Sequence, residues 1–482
     1  MGVTIRNITI AVAIVLLGAL AASSGSAARV THTYATHGTL PLRTSLDDPF
    51  ALTGPDRAAA FLKARAAGAS YVRLIAPWNE IAPTTPPAGF APADPTSPGY
   101  SWSWLDSTVA SAEKAGLTPI LDIARAPGWA LASKHGKVIN TPKASSLGQF
   151  AKALALQYDG GHGAPAVHVF QVWNEPNLSQ DLSPVNAAAY RGMVNAVAAS
   201  VHSVSKSNLV VAGGLDPFRN KTKHWYSVAP LAFMRSLLCV SKGKHPHRTC
   251  SNQVHFDVWS HHPYTFNGPF GHAGRTDDVS LGDLPKMRAV LNAGVKLHRV
   301  VPSHPMQFWV TEFSWDTKPP RRHAAPVNLA ARWTAEALYQ MWRSGVSLVT
   351  WFGLVDKGGK SPYQSGLYFH AKSLAAARAK PVRTAFRFPF VAYLGKGTVR
   401  VWGRDATSDA RLLTIQRRHG THGSWRTVAK IRSNRSGIYR ATLRLKATKK
   451  DWLRATASGS GSSLAFSLTR PSPKLRYGPW GN

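Results

Sequence analysis

The sequence predicts a (β/α)8 barrel, a TIM barrel, followed by a small C-terminal antiparallel β-sandwich. From about residue 43 to residue 352, short apolar runs alternate eight times with longer segments of helical periodicity. From about residue 395 onward, short alternating segments separated by turn residues replace the helices. Strands that alternate with helices indicate a parallel sheet, and eight repeats indicate a closed barrel. Closely spaced short strands without helices are typical of a sandwich.

Seven barrel strands are expected where a short run is rich in apolar residues, at 71–75, 118–123, 167–173, 209–212, 256–260, 307–311 and 347–352. The first strand is expected near 43–47, where only Leu46 is apolar. Helices are expected after the first seven strands, at 55–67, 103–115, 145–158, 184–204, 230–239, 284–300 and 325–343. Gly68 and Gly116 follow the first two helices, where glycine commonly ends a helix. A doubly wound open sheet is the rival, but it normally has a glycine-rich phosphate loop after its first strand, and this sequence has none.

Strands of the sandwich are expected at 398–402, 410–417, 425–431, 437–445 and 452–458. The sequence thus divides into a leader at 1–28, a catalytic barrel at 40–392, an accessory β-sandwich domain at 393–470 and a flexible tail, rich in proline and glycine, at 471–482.

Residues 1–28 have the pattern of a secretory signal peptide. Arg6 supplies a positive start, residues 8–20 are apolar, and residues 21–28 are small and suited to cleavage. The apolar run is short for a membrane span and no second run follows it, so we expect no transmembrane span in the mature chain. The chain is therefore expected to be secreted and extracellular, with a signal anchor as the alternative.

The sequence contains two cysteines, Cys239 and Cys250, on either side of a polar, basic segment. In an exported protein, two cysteines this close in sequence predict a local disulfide, and two free thiols are the alternative. With no other cysteine, a zinc or iron–sulfur site built from cysteines is excluded.

The net charge is +35, from 58 Lys and Arg against 23 Asp and Glu. The positive residues are spread along the chain, and we find no nucleic-acid-binding motif, so no specific nucleic-acid partner is expected. Two interpretations remain: a compositional bias of the surface, or weak electrostatic association with anionic cell-wall polymers.

Polar residues at the predicted strand ends form a coherent chemical set. In a barrel, these ends open on one face, where active sites are built. The set comprises Arg73 in strand two, Asn174 and Glu175 after strand four, His262 and Tyr264 after strand six, and Glu312 after strand seven. Two tryptophans join it: Trp129 after strand three and Trp351 in strand eight.

Two carboxyl groups in different environments are what retaining glycoside hydrolysis requires. One must be protonated to assist the leaving group, and the other must be ionised to attack the anomeric carbon. Arg73 and the Tyr264 hydroxyl favour the charged form of Glu312. Glu175, which faces the like charge of Glu312 in a partly apolar pocket, is expected to have a raised pKa.

The stretch from Trp173 to Leu178, WNEPNL, together with Thr311-Glu312, resembles the clan A retaining glycoside hydrolases, in particular families 39 and 5. The resemblance covers roughly residues 44–360. It implies that Glu175 is the acid/base and Glu312 the nucleophile, and it implies no cofactor. It further implies that Asn174 binds the sugar 2-hydroxyl, Arg73 steadies the nucleophile, His262 and Tyr264 line the pocket, and Trp351 lies under the reacting sugar.

The sequence departs from family 5 at the end of strand three, where that family usually has a histidine. Ile123-Ala124-Arg125 contains none, and Trp129 is expected to line the cleft instead, so family 39 or an uncharacterised relative is nearer. His261 and His262 could suggest a metal, but a third ligand at metal-like spacing is missing, and no metal is expected.

We therefore expect a secreted retaining β-glycosidase acting on a poly- or oligosaccharide. A non-catalytic carbohydrate-binding or wall-attached barrel, and a transglycosylase, remain open as alternatives. The identity of the sugar is open as well.

Overall fold

The computed structural model describes residues 32–38, 40–358, 361, 363–405, 407, 410–472 and 475–480. The predicted signal peptide, residues 1–28, lies outside the described residues.

Eight parallel strands close into a barrel, and each pairs with the next in chain order. They are β1 Arg43–Asp47, β2 Tyr71–Pro77, β3 Thr118–Ala124, β4 Val169–Val172, β5 Leu209–Leu215, β6 Val258–His261, β7 Gln307–Val310 and β8 Leu348–Phe352. Closure is made by β8 against β1, where Leu348 pairs with Arg43. The predicted barrel is confirmed, with strand ends within a few residues of the expected ones.

Seven helices follow the first seven strands as predicted, and a shorter eighth helix that was not predicted follows β8. They are α1 Arg57–Ala66, α2 Ser103–Lys114, α3 Ala144–Gln157, α4 Ala187–Val204, α5 Pro230–Leu238, α6 Leu284–Lys296, α7 Val327–Arg343 and α8 Pro381–Arg387. The loops after β2 and β3 also contain a short helix, Trp78–Ile81, and a hairpin of Leu131–Lys134 and Lys137–Pro142. Hydrophobic periodicity does not reveal such short elements in proline-rich and polar sequence, because they bury too few residues to produce a pattern.

The barrel interior is packed, not hollow. Six buried apolar side chains from neighbouring strands form a separate cluster: Ile120, Val169, Val211, Val258, Trp309 and Leu348. Such layers of branched side chains fill the centre of barrels of this kind. The polar residues at the carboxyl ends of the strands consequently lie above a dry apolar floor.

After α8, the chain forms two sheets, with strands β9 Phe390–Gly395, β10 Thr398–Arg404, β11 Leu412–His419, β12 Arg426–Arg432, β13 Ile438–Arg444 and β14 Asp451–Ala457. One sheet has the order β9-β10-β13, and the other contains β12-β11-β14, all antiparallel. Buried residues of both sheets, including Val399, Leu413 and Leu453, belong to the same apolar core as the outside of the barrel. The predicted β-sandwich is therefore present.

Two features of the sandwich were not predicted. Thr33–Ala35, from before the barrel, adds a parallel strand to the edge of β12. Trp402 of β10 packs on Tyr339 and Trp342 of α7, with ring centroids 5.3 and 5.6 Å apart. The sandwich is thus fixed to the barrel through both an aromatic contact and an earlier segment of the chain.

The predicted disulfide is confirmed: Cys239, at the end of α5, is bonded to Cys250, in the segment that leads to β6. It lies on the side of the barrel where strands begin, opposite to the strand ends that carry the glutamates. Within the part of the chain that the structure describes, we found no helix with the length and apolar character that crossing a bilayer demands.

Candidate active site

Arg73 is the hub of the polar cluster above the barrel floor. It is 3 % exposed, and its guanidinium donates to Asp47 of β1 at 2.6 Å and to Asp122 of β3 at 2.7 Å. It also donates to Gln171 of β4 at 3.1 Å and to the Asn174 side-chain oxygen at 2.8 Å. A guanidinium offers five donors in a fixed plane, so one residue can tie four strand ends together. Arg73 therefore sets the positions of side chains around it as well as their charge.

The chain makes an unusual turn where β4 ends. Trp173 and Glu175 both have positive φ, 68° and 38°, which non-glycine residues seldom adopt. The turn is held by the Trp173 indole, which donates to the Asp181 carbonyl oxygen, and by the Glu175 N–H, which donates to the Gly214 carbonyl oxygen. Asn177, fully buried, further ties this turn to the loop after β5. The backbone is thereby bent so that Glu175 turns into the cluster.

His262 joins Glu175 to the neighbouring strands. Its Nδ1 lies 2.9 Å from Glu175 Oε1, and its Nε2 lies 3.2 Å from Thr311 Oγ1. Burial lowers the pKa of His262 to about 4, so the ring is neutral at neutral pH. A neutral imidazole has one donor and one acceptor nitrogen, and it can serve Glu175 in either protonation state of that residue.

Glu312, directly after β7, is held by different partners. The Tyr264 hydroxyl donates to Glu312 Oε1 at 2.7 Å, and Arg73 Nη1 lies 3.6 Å from Glu312 Oε2. His262 Nδ1 lies 3.9 Å from Glu312 Oε2. Glu312 thus has a hydroxyl donor and a guanidinium as neighbours, whereas Glu175 faces an imidazole.

Burial, followed by the negative charge of Glu312, raises the pKa of Glu175 to about 8. Glu175 is therefore mostly protonated at neutral pH, as expected from the sequence. Both side chains keep about a sixth of their surface accessible, 16 % and 17 %, which leaves them open to a ligand.

The structure brings six of the predicted site residues into one hydrogen-bonded cluster: Arg73, Asn174, Glu175, His262, Tyr264 and Glu312. It does not bring Trp129 or Trp351 into that network. Trp129 is half-buried, donates to the Pro83 carbonyl oxygen and packs edge-on against Trp78. Trp351 is 1 % exposed and donates to the Ser365 carbonyl oxygen. Their roles in binding sugar stay predictions.

Sequence reasoning missed five polar neighbours of the cluster: Asp47, Asp122, Gln171, Asp181 and Asp216. Burial raises the pKa of Asp181 to about 8 and that of Asp216 well above its usual range, with the charge of Glu175 as the next cause. Asp47 and Asp122 could have been found from the sequence, because a buried arginine such as Arg73 in a strand requires carboxylates on adjacent strands. Asp181 and Asp216 lie in loops, where no spacing rule applies.

One group of described residues has the spacing of a metal site, away from this cluster. Asp257, before β6, lies 3.1 Å from His202 Nε2 and 3.2 Å from His304 Nδ1. Its oxygens already accept N–H groups of Val210 and Ser303, and His202 Nε2 also faces the Asn208 carbonyl oxygen. A ring nitrogen that faces a carbonyl oxygen carries a hydrogen, so His202 Nε2 acts here as a hydrogen-bond donor.

The closed barrel, with its polar cluster at the carboxyl ends of the strands, defines a (β/α)8 protein with an active-site-like face. Among solved structures, two are similar to it in fold. The GH39 enzyme from Xanthomonas axonopodis pv. citri has a TM-score of 0.51 and 15% identity, covering 88% of this chain and 96% of its own. A monomeric β-xylosidase from Caulobacter crescentus CB15 has a TM-score of 0.50 and 15% identity, covering 86% of this chain and 100% of its own.

The expected resemblance to clan A glycoside hydrolases is thus confirmed, at the level of the fold. No known family model matches the chain. No curated protein matches it either.

Proposed function

We propose that the chain is a secreted retaining β-glycosidase, which hydrolyses O-glycosidic bonds of a poly- or oligosaccharide by double displacement. One observation carries the proposal: a single atom, His262 Nδ1, lies 2.9 Å from Glu175 and 3.9 Å from Glu312. The two carboxyl groups therefore flank one small volume, one with a raised pKa and the other hydrogen-bonded as an acceptor.

In the first step, Glu312 attacks the anomeric carbon, and the glycosidic bond breaks as Glu175 gives its proton to the departing oxygen. In the second step, the ionised Glu175 takes a proton from water, and that water displaces Glu312 from the anomeric carbon. Two inversions give net retention. The Tyr264 hydroxyl and Arg73 hold Glu312 in place, and Arg73 also donates to the Asn174 side-chain oxygen.

The spacing supports retention over inversion. Retaining enzymes hold their carboxyl groups about 5–5.5 Å apart, whereas inverting enzymes leave about 6.5–9.5 Å for a water molecule. Two carboxyl oxygens that both lie within 4 Å of one imidazole nitrogen favour the shorter spacing.

Secretion is part of the proposal, supported by the leader-like residues 1–28 and by the disulfide of Cys239 and Cys250. We also propose that the net charge of +35 gives weak association with anionic cell-wall polymers. Because one structural neighbour is named a β-xylosidase, aryl β-xylosides are a sensible first substrate, with aryl β-glucosides and β-mannosides beside them.

The test is turnover of these aryl glycosides by the wild type and by Glu175→Gln and Glu312→Gln. We expect each substitution to lower kcat by about two to four orders of magnitude, which is the range that a positioned proton donor or nucleophile contributes. NMR of the first-formed product should show the β-anomer before mutarotation.

Glu80→Gln is the matched control. Glu80 lies at the same face of the barrel but is paired with Arg125 at the exposed surface, and it should keep near wild-type activity. Full activity in either site variant, or a first-formed α-anomer, would refute the proposal. No turnover by the wild type, with binding of polysaccharide intact, would favour the non-catalytic carbohydrate-binding alternative.

A further inference from the structure

Residues 475–480, near the end of the chain, return to the carboxyl face of the barrel. Two main-chain hydrogen bonds hold them there. The Asp316 N–H donates to the Pro479 carbonyl oxygen at 2.7 Å, and the Asn267 N–H donates to the Tyr477 carbonyl oxygen at 3.1 Å. Asp316 follows Glu312 by four residues, and Asn267 follows Tyr264 by three. The segment is thus attached to the two loops that carry the proposed nucleophile and its tyrosine partner.

Side chains reinforce this attachment. Tyr477 packs on Trp333 of α7, with ring centroids 6.0 Å apart, and Pro479 is buried. The next residue, Trp480, is therefore fixed in direction by the main-chain hydrogen bonds and side-chain packing of Tyr477 and Pro479.

The Trp480 ring lies against Tyr264, with centroids 5.2 Å apart and an interplanar angle of 43°. It also contacts Phe266 edge-on, at 6.2 Å. Because the Tyr264 hydroxyl donates to Glu312, a single aromatic ring separates Trp480 from the carboxylate proposed to attack the sugar.

Trp480 is partly buried, so part of its surface remains accessible. Its neighbour Phe266 is 45 % exposed. The Phe266 ring in turn packs on Phe218, with ring centroids 5.7 Å apart. Trp480, Phe266 and Phe218 therefore form a row of partly exposed aromatic rings that starts beside the polar cluster. The C–H face of a pyranose ring is apolar, and stacking it on an indole removes apolar surface of both from water.

We propose that Trp480 is a substrate-binding residue that stacks on a sugar unit next to the one attacked by Glu312. Through it, residues 475–480 set the preference of the enzyme for longer chains over single aryl glycosides. This inference rests on the proposed glycosidase function, and it goes further by assigning part of the cleft to a segment outside the barrel.

The experiment compares Trp480→Ala, Trp480→Phe and wild type on aryl β-monoglycosides and on xylo-, cello- and manno-oligosaccharides of increasing length. For the oligosaccharide series that the wild type cleaves, we expect Trp480→Ala to lower kcat/KM on the order of tenfold, through KM, once the chain reaches the Trp480 site. Activity on the aryl monoglycoside should stay within about twofold, and Trp480→Phe should recover most of the loss.

Trp425→Ala is the matched control, since Trp425 is a half-exposed tryptophan of the sandwich whose ring contacts are with Arg418 and Arg454. It should leave every substrate unchanged. A Trp480→Ala variant that is equally impaired on all substrates, or on none, would overturn the inference while leaving the glycosidase proposal standing. If the wild type neither cleaves nor binds any of these glycans, the proposed function fails and this inference fails with it.

Discussion

Arg73 shows how much one buried side chain can determine. Its guanidinium neutralises Asp47 and Asp122, both buried, and it also orients Asn174. Removing one partner of such a buried network leaves charges without compensation, which costs far more than the network itself contributes.

We therefore expect Arg73→Met to lower the free energy of unfolding by about 3–5 kcal/mol, together with loss of activity. Equilibrium unfolding in urea measures the change. Arg125→Met is the control, because the Arg125–Glu80 pair is 57 % and 60 % exposed and such surface pairs contribute about 0–1 kcal/mol. Equal loss in both variants would contradict the role assigned to Arg73.

The raised pKa of Glu175 predicts how activity depends on pH. Burial and the charge of Glu312 raise its pKa to about 8, so the proton needed by the leaving group is present below that pH and lost above it. Under the proposed function, kcat/KM should fall as pH rises through about 8. Aryl glycosides with a good leaving group need less proton donation and should show a weaker fall. A profile flat to about pH 10 for poor leaving groups would count against Glu175 as the acid.

At the scale of elements, the two ends of the barrel strands have different roles. The carboxyl ends carry the polar cluster, whereas the opposite ends carry bonds that only hold the chain. The disulfide of Cys239 and Cys250 is one of these, linking the end of α5 to the approach to β6 across 11 residues of sequence.

Replacing both cysteines by serine should lower the free energy of unfolding by about 2–4 kcal/mol, mainly because the unfolded chain is then less constrained. Activity at room temperature should remain near that of the wild type, since the bond lies on the side of the barrel away from Glu175. Thermal unfolding and turnover, measured on the same preparation, check both parts. Loss of activity without loss of stability would contradict this separation.

At the scale of the whole molecule, barrel and sandwich form one body. Thr33–Ala35 precedes the barrel yet pairs with β12 of the sandwich, so segments from before and after the barrel in sequence meet in one sheet. The Trp342 indole of α7 donates to the Leu40 carbonyl oxygen, which ties the connecting segment to the barrel.

The net charge of +35 also belongs to this scale, because no single site holds it. We expect the protein to be retained by an insoluble anionic polymer such as pectin at low salt. It should elute as the salt concentration approaches about 0.5 M, because screening weakens interactions between exposed charges. A neutral polymer such as cellulose serves as the control. Retention on pectin that is insensitive to salt would exclude diffuse electrostatics as the cause.

Much of this organisation could be read from the sequence. Seven of the eight strands were predictable because each is a short run rich in apolar residues, bounded by glycine, proline or polar residues, whereas β1 contains a single apolar residue, Leu46. Glu175 and Glu312 could be singled out because both stand directly after such runs. The hairpin of Leu131–Lys134 and Lys137–Pro142 could not be predicted, since few of its residues are buried and no periodicity marks it.

By itself, the sequence determined the barrel, the sandwich, the cysteine pair and the residues at the strand ends. Each of these depends on local periodicity or on short spacing along the chain. Only the tertiary structure decided which of those residues meet, because the contacts of Arg73, His262 and Tyr264 span 26 to 101 residues of sequence. It also decided that Trp480 lies beside Tyr264, an approach across more than two hundred residues that no local pattern could encode.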